Sequence, residues 1–292
     1  MRGPQPELGL RAGLKVGYLG PAGTYSEEAL RTFAPEAVEE VPYPSIQEAV
    51  MAVHEGAVER AVVPIENALE GTVAVTLDTL ATEATQVRIA AELVHPIRHC
   101  LIARHELPLS EVRRVISHPQ ATAQCARFLR ERLPMAERVV APSTADAVRT
   151  VRESDEATAA LGSRLAAELY GCVVLAPDAG DHPDNETRFV WLAPAAEAPG
   201  ESGPEAKTTV VFWGGGDRSP GWLVDVLSEL STRSVNLTRI ESRPRRTGLG
   251  HYMFFADIEG GADWPPVTEA LRALAGHVDE LRVLGSYTAV SG

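Results

Sequence analysis

A chain of 292 residues has length for about two domains, each able to bury a core of its own. Its formal net charge of −13 argues against binding to a phosphate backbone, which needs clustered Lys and Arg, so nucleic acid is not an expected partner and an anionic ligand must be held by one or two Arg or by helix N-termini. No apolar run is long enough for a membrane-spanning helix, and Cys100, Cys125 and Cys172 are scattered without C-x-x-C spacing, against both a zinc site and a disulfide framework.

Residues 1–13 are rich in Pro, Gly and charge and lack the apolar centre of a signal peptide, so a flexible extension and a cytoplasmic location are expected. From Leu14 a short strand reaches Leu19, turns through Gly20-Pro21-Ala22-Gly23 and enters a helix at Thr24, where Thr24 and Glu27 match the capping box. Such a turn presents backbone N–H groups to an anion, although many α/β proteins begin this way without a ligand. Ser45 and Glu48 repeat the capping signature ahead of a helix that Gly56 can close. Arg60 to Asn67 reads as a buried strand ending in Glu66 and Asn67, and ligands of open α/β sheets sit beyond such strand ends. Asn67 as a simple turn residue is the equal alternative. A helix over Thr72 to Leu80 follows.

Val87 to Arg104 is extended and long enough to leave one lobe and enter another. A second series follows: strand Arg114 to Ser117 into a helix around Ala121 to Arg132, strand Arg138 to Ala141 into a helix begun at Ser143 and Thr144, and strand Ala157 to Leu161 into Ser163 to Tyr170. Strands alternating with helices predict parallel sheets covered on both faces. His118 fits a general acid or base, or a turn residue bonding backbone, and Gln120 faces either a ligand or solvent. The cluster Asp184-Asn185-Glu186-Thr187-Arg188-Phe189 opens a strand that runs back to the first lobe. Alternation puts Thr187 and Phe189 on one face and Arg188 on the other, unless Arg188 reaches round an edge to grip a carboxylate. Two crossings between two lobes make a cleft.

Residues 194–206 are Ala/Pro/Gly/Glu-rich and read as a linker. Beyond them the order strand, helix, strand, strand, helix, strand is the βαββαβ ferredoxin-like motif.

Four stretches in this order, Gly20-Pro-Ala-Gly-Thr-Tyr-Ser26, Pro64-Ile-Glu-Asn67, Ser117-His-Pro-Gln-Ala121 and Asn185-Glu-Thr-Arg-Phe189, resemble prephenate dehydratases. The tail, with Asn236-Leu237-Thr238-Arg239-Ile240-Glu241-Ser242-Arg243-Pro244, resembles that family's ACT regulatory domain. The likeness runs from Leu14 to Tyr287. It implies an α/β fold in which a two-lobed, type II periplasmic-binding-protein-like catalytic region (14–193; lobe 1 about 14–95 and 188–193, lobe 2 about 96–187) precedes an ACT domain at 207–292. It also implies a carbon–oxygen lyase without cofactor or metal, acting in phenylalanine biosynthesis, regulated by phenylalanine as amino-acid effector and assembled as homodimer or homotetramer.

Carried onto this sequence, the resemblance makes Thr187 the key hydroxyl, with Arg188 and Phe189 completing the catalytic set. Thr24, Ser26, Glu66, Asn67, Gln120, Ser143 and Thr144 are expected around the substrate, with Arg188 holding a carboxylate. Effector contacts are expected from Gly221, Trp222, Leu223, Asn236, Leu237, Glu241, Ser242, Arg243 and Pro244, although Arg243 paired with an acidic surface is the competing reading. Three departures stand out: Tyr25 where Phe is common, Ala68 where a cleft Ser is usual, and Trp222 in a familiar Gly-Ala-Leu, where an indole fills or reshapes the effector pocket. The expected reaction is decarboxylative dehydration of prephenate to phenylpyruvate, with arogenate dehydratase and a non-catalytic amino-acid or keto-acid sensor as alternatives.

Overall fold

The computed structural model describes residues 10–34, 38–154, 156–198, 200, 203–216 and 219–291; most of the expected N-terminal extension, residues 1–9, lies outside them. The first lobe is built from β1 (Lys15–Leu19), α1 (Tyr25–Phe33), β2 (Glu39–Tyr43), α2 (Ile46–His54), β3 (Arg60–Asn67), β4 (Gly71–Thr72), α3 (Ala74–Thr82) and β5 (Val87–Pro96). The second comprises β6 (Cys100–Ala103), β7 (Arg114–Ser117), α4 (Pro119–Gln124), α5 (Ala126–Arg132), β8 (Glu137–Val140), α6 (Thr144–Glu153), β9 (Thr158–Gly162), α7 (Arg164–Leu169) and β10 (Val173–Ala176). β11 (Glu186–Pro194) then returns to the first lobe. The C-terminal domain follows as β12 (Lys207–Trp213), α8 (Trp222–Ser231), β13 (Leu237–Pro244), β14 (Tyr252–Glu259), α9 (Pro265–Leu274) and β15 (Glu280–Tyr287), with β16 (Ala289–Ser291) pairing back onto β5.

Sheet orders are β16-β5-β11-β3-β1-β2, with β4 on β3, then β10-β6-β9-β7-β8, and β13-β14-β12-β15 in the C-terminal domain. The parallel pairing expected from strand–helix alternation forms between β1, β2 and β3 and between β7, β8 and β9, but both sheets are mixed. β11 is antiparallel to both β3 and β5, and β6 and β10 are also antiparallel, because the strands at the crossings enter each sheet from the other lobe. The return crossing ends at Glu186, two residues before the expected boundary, so Thr187 already belongs to the first lobe's sheet. The helix expected around Ala121 to Arg132 is broken at Cys125 into α4 and α5.

Local chemistry accounts for most helix starts. Ser45 Oγ accepts from Glu48 N at 3.1 Å, the hydroxyl half of the cap read from the sequence, and donates to the Glu48 carboxylate at 2.9 Å. Ser143 caps α6 by accepting from Asp146 N at 2.9 Å. The box expected at Thr24 does not form: Thr24 Oγ1 donates to the Leu19 carbonyl at 2.7 Å, and the buried Glu27 carboxylate accepts from Gly23 N at 2.5 Å and pairs with Arg31. Gly23, at φ +90, makes the turn that aims its N–H at Glu27.

Side-chain alternation sorts the first lobe's central sheet into two cores. Phe189, Trp191 and Ala193 pack with Val16, Tyr18, Leu30 and Phe33 on the α1 side. Val190 and Leu192 pack on the other side with α2 and α3, and also with Val211, Met253, Phe255, Leu284 and Tyr287 of the C-terminal domain. The C-terminal sheet thus buries one face on the first lobe and the other under α8 and α9. Close approach has a local cause: a Cβ on Gly285 would meet the Ile89 carbonyl oxygen at 2.2 Å.

Candidate active site

A cavity of about 330 Å³ lies between the lobes. The start of α1 brings Thr24, Tyr25 and Ser26, β3 ends in it at Asn67, and β11 contributes Thr187 and Phe189. Opposite stand His118 and Gln120 at the start of α4, Ser143 and Thr144 at the start of α6, and His99 from the crossing segment. Hydrogen bonds bind the lobes around it, from Ser163 Oγ to the Gly23 carbonyl at 2.8 Å, from Tyr170 Oη to the Ala22 carbonyl at 2.8 Å, and from Gln124 Nε2 to the Glu70 carboxylate at 3.1 Å.

A chain of hydrogen bonds ends on Thr187. Tyr25 Oη donates to His99 Nδ1 at 2.8 Å, and His99 Nε2 donates to Gln124 Oε1 at 2.9 Å. Gln124 Oε1 also accepts from Asn185 Nδ2 at 3.0 Å, while Asn185 Oδ1 accepts from Asn67 Nδ2 at 2.9 Å. Asn67 Nδ2 also approaches the Glu186 carbonyl at 3.0 Å and donates to Thr187 Oγ1 at 2.9 Å. The amide of Asn67 is oriented by its Oδ1, which accepts from Leu69 N and Glu70 N, both at 3.0 Å. With its oxygen accepting from Asn67, the Thr187 hydroxyl keeps its own proton for a ligand. Burial drives the shifts along this chain: it pushes the His99 pKa down from its ordinary 6.5, against the Gln124 bond that raises it, and lifts the Tyr25 phenol well above its usual value, helped by Glu28.

Asn67 therefore both turns the chain and enters the site. His118 lines the cleft, but its Nδ1 accepts from Gln120 N at 3.3 Å, the backbone-bonding role allowed for it. His99, Gln124 and Asn185 were not singled out as site residues in the sequence, although Gln124 stands one helical turn beyond Gln120 and Asn185 opens the 185–189 motif.

Arg188 does not reach the cleft. Its side chain, 11% exposed, leaves the opposite face of β11, where Nη1 donates to Asp257 Oδ2 at 2.8 Å and lies 3.5 Å from Glu92 Oε2. Strand alternation holds here, and the carboxylate-gripping role expected of Arg188 is corrected by it. Burial opposes its charge, but Asp257, Tyr287 and Glu92 more than offset this and raise the pKa of the guanidinium. Glu66 is on the same side, 3.5 Å from Arg188 Nε and 3.5 Å from Arg239 Nε, so it too is outside the substrate set. Ala68 is exposed beyond the end of β3 and does not line the cleft, so a serine hydroxyl there has no place in it.

In the C-terminal domain, Gly221 at φ +87 caps α8, and Trp222 packs on Phe212 and Phe254 while Nε1 donates to the His277 carbonyl at 2.7 Å. The indole is thus packed into the core of this domain, and Leu223 packs against the same core. Asn236 precedes β13, and Leu237, Glu241, Ser242 and Pro244 lie along it, on the edge strand of the sheet. Arg243 is engaged: its guanidinium takes the buried Asp78 of α3 with two bonds, at 3.1 and 2.9 Å. Among the described residues no group of three or more His, Cys, Asp and Glu is placed to hold a metal ion, and no helix is long and apolar enough to cross a membrane.

A two-lobed α/β region with a polar network converging on one hydroxyl, followed by a βαββαβ domain, defines the class: a two-lobed α/β cleft joined to an ACT domain. The chain belongs to the prephenate dehydratase family, whose profile matches residues 16–197, with the ACT domain profile matching 208–276. A prephenate dehydratase of Mycolicibacterium vanbaalenii is 41% identical over 286 residues, covering 93% of this chain and 90% of that protein. The solved prephenate dehydratase of Arthrobacter aurescens, in complex with L-Phe, is 39% identical with a TM-score of 0.85, covering 94% of this chain and 90% of the other. A solved protein described as a novel type of quorum quenching acylase, GqqA, is 32% identical with a TM-score of 0.84, covering 94% of this chain and 98% of its own.

Proposed function

We propose that this chain is a cytoplasmic carbon–oxygen lyase that converts prephenate to phenylpyruvate, carbon dioxide and water in phenylalanine biosynthesis. The observation that carries this reading is the Thr187 hydroxyl, fixed by Asn67 at 2.9 Å and turned into a cleft beside Phe189. Loss of carbon dioxide and hydroxide makes the substrate ring aromatic, so the driving force lies in the substrate and the protein's part is to orient it and ease departure of the oxygen. The hydroxyl of Thr187 is too weak an acid to release a proton freely, and its role is to hydrogen-bond the leaving oxygen as charge grows there. The electrons of the breaking carbon–carboxylate bond enter the ring and expel the hydroxide, which takes a proton to become water. Phe189 keeps the departing carboxylate poorly hydrated.

Among the described residues, the cleft lining contains no Lys or Arg. The substrate's two carboxylates are therefore received by hydroxyls and by those first-turn N–H groups of α1 and α6 that are not already taken at the cap, as Glu27 N is by the Thr24 carbonyl and Asp146 N by Ser143 Oγ. The lining also contains no Asp or Glu to pair with an ammonium, which favours prephenate over arogenate. Incubating the purified chain with prephenate and following phenylpyruvate absorbance tests the reading, and kcat/KM for arogenate is expected to be lower than for prephenate. Absence of phenylpyruvate removes the enzyme assignment and leaves the sensor. Hydrolysis of an acyl amide, which would need a base beside the nucleophile, serves as the control for the acylase likeness.

Phenylalanine is proposed as feedback effector, supported by the L-Phe complex of the Arthrobacter aurescens relative. The open edge of β13 is the surface we assign to pairing of ACT domains in a homodimer or homotetramer. Calorimetry with phenylalanine, and light scattering with and without it, check both points.

A further inference from the structure

Residue 188 stands between two residues that face the cleft, yet its own side chain belongs to another domain's interface. Asp257, which receives it, is fully buried on β14, and its second oxygen accepts from Thr209 Oγ1 at 2.7 Å, which in turn shares a 2.6 Å bond with Tyr287 Oη. Glu92 of β5 completes the cluster by pairing with Lys207 of β12. With Glu66 and Arg239, three cations and three carboxylates from both domains thus meet behind β11, and among the described residues Arg188 Nη2 has no hydrogen-bond partner. The backbone is irregular at the same point. Pairing of β11 with β3 passes from Arg188↔Glu66 to Phe189↔Pro64, so Ile65 is an extra residue on β3, and the bulge brings Pro64 onto the cleft wall with Phe189. Bulges re-aim side chains and relax the ladder that would otherwise set strand pitch. On its other side β11 keeps a regular ladder with β5 from Glu186 to Trp191, so at the bulged β3 side it is the buried Arg188–Asp257 pair that ties this stretch to the C-terminal domain.

We propose that Arg188 is a positioning residue: paired with Asp257 of the C-terminal domain, it sets the pitch of β11 at 187–189 and with it the angle at which Thr187 and Phe189 enter the cleft. Through this link the placement of the C-terminal sheet governs turnover without any of its residues touching substrate. The kinetic part rests on the dehydratase reading; the structural part does not.

The test uses the full-length chain with Asp257→Asn, Arg188→Gln, Arg188→Lys and the Arg188→Gln/Asp257→Asn double variant. Each neutralising single change is expected to lower kcat about 10- to 100-fold, the scale of a small misplacement, while KM stays within about threefold. The double variant is expected to be no slower than the slower single one, since both break one link. Arg188→Lys, which keeps the charge but not the fork, recovers part of kcat. Hydrogen exchange of amides 186–190 is expected to quicken in Asp257→Asn while α4 and α6 keep parental rates, which general destabilisation would not do. Should Asp257→Asn fail to fold, Thr209→Val, which removes the hydroxyl bonded to that carboxylate and to Tyr287 Oη, gives the same pattern in weaker form. The proposal is overturned if Arg188→Gln raises KM by more than about 100-fold with kcat retained, the mark of lost uniform binding, or if Asp257→Asn exchanges and turns over like the parent. A parent that does not consume prephenate overturns the dehydratase reading instead, and the exchange comparison then decides the positioning claim alone.

Discussion

Replacing Thr187 by Val removes one hydroxyl while preserving side-chain shape, so its cost divides cleanly between folding and catalysis. Thr187 is 7% exposed, and its oxygen accepts from Asn67 Nδ2 at 2.9 Å. After the change that amide still has Asn185 Oδ1 at 2.9 Å and the Glu186 carbonyl at 3.0 Å, so no buried donor is orphaned. The folding loss is then that of one neutral hydrogen bond, about 1 kcal/mol, or a fall in Tm of about 2–4 °C. The catalytic loss is larger, because a donor aimed at developing negative charge is worth about 10²–10³ in kcat, or ~2.7–4 kcal/mol. Stopped assays of phenylpyruvate formation should show that fall in kcat with KM changed by less than about tenfold, since ground-state binding of the carboxylates is left to other groups. Thr187→Ser, which restores the oxygen, should return activity to within about tenfold of the parent. A Val variant with kcat within about twofold of the parent would refute the role given to this hydroxyl, whatever else lines the cleft.

Ala68→Ser should leave kcat/KM within about twofold, the range of a surface change, because residue 68 lies outside the cleft; a marked gain would mean that its hydroxyl reaches the substrate after all. Tyr25→Phe removes the donor to His99 Nδ1 at 2.8 Å and leaves a buried acceptor unsatisfied, so chemical denaturation should report a loss of about 1–3 kcal/mol. The same site gives a pH signature. With the folded pKa of His99 pressed below its usual 6.5 by burial, the unfolded chain takes up this proton first. The contribution is fully present above about pH 6.5 and is lost as pH falls from there through the lower folded value. Melting curves of the parent should therefore fall more steeply between pH 7 and pH 5 than those of His99→Gln; parallel curves would show that His99 carries no such linkage.

The order of elements, the two crossings and the C-terminal βαββαβ motif were all legible, because periodicity and capping chemistry are local. Alternation alone separated Thr187 and Phe189 from Arg188. What lies behind the strand was not legible. That Arg188 meets Asp257, and Arg243 meets Asp78, depends on one sheet packing on another, with partners 69 and 165 residues away in sequence. The same limit hid the chain from Tyr25 to Thr187, whose members come from α1, the crossing segments, α4 and β3 and are joined only once the lobes close. Where a local rule failed, at Thr24, the buried Glu27 carboxylate had a nearer claim on the turn's amide.

The apolar cluster that holds Val190, Leu192, Val211, Phe255 and Tyr287 together belongs to neither domain alone. An ACT domain seated this way cannot swing on a hinge as a separate bead. Any signal from it must travel as a slight slide of one layer over another, and severing the connecting peptide would leave two fragments that still melt together as one body.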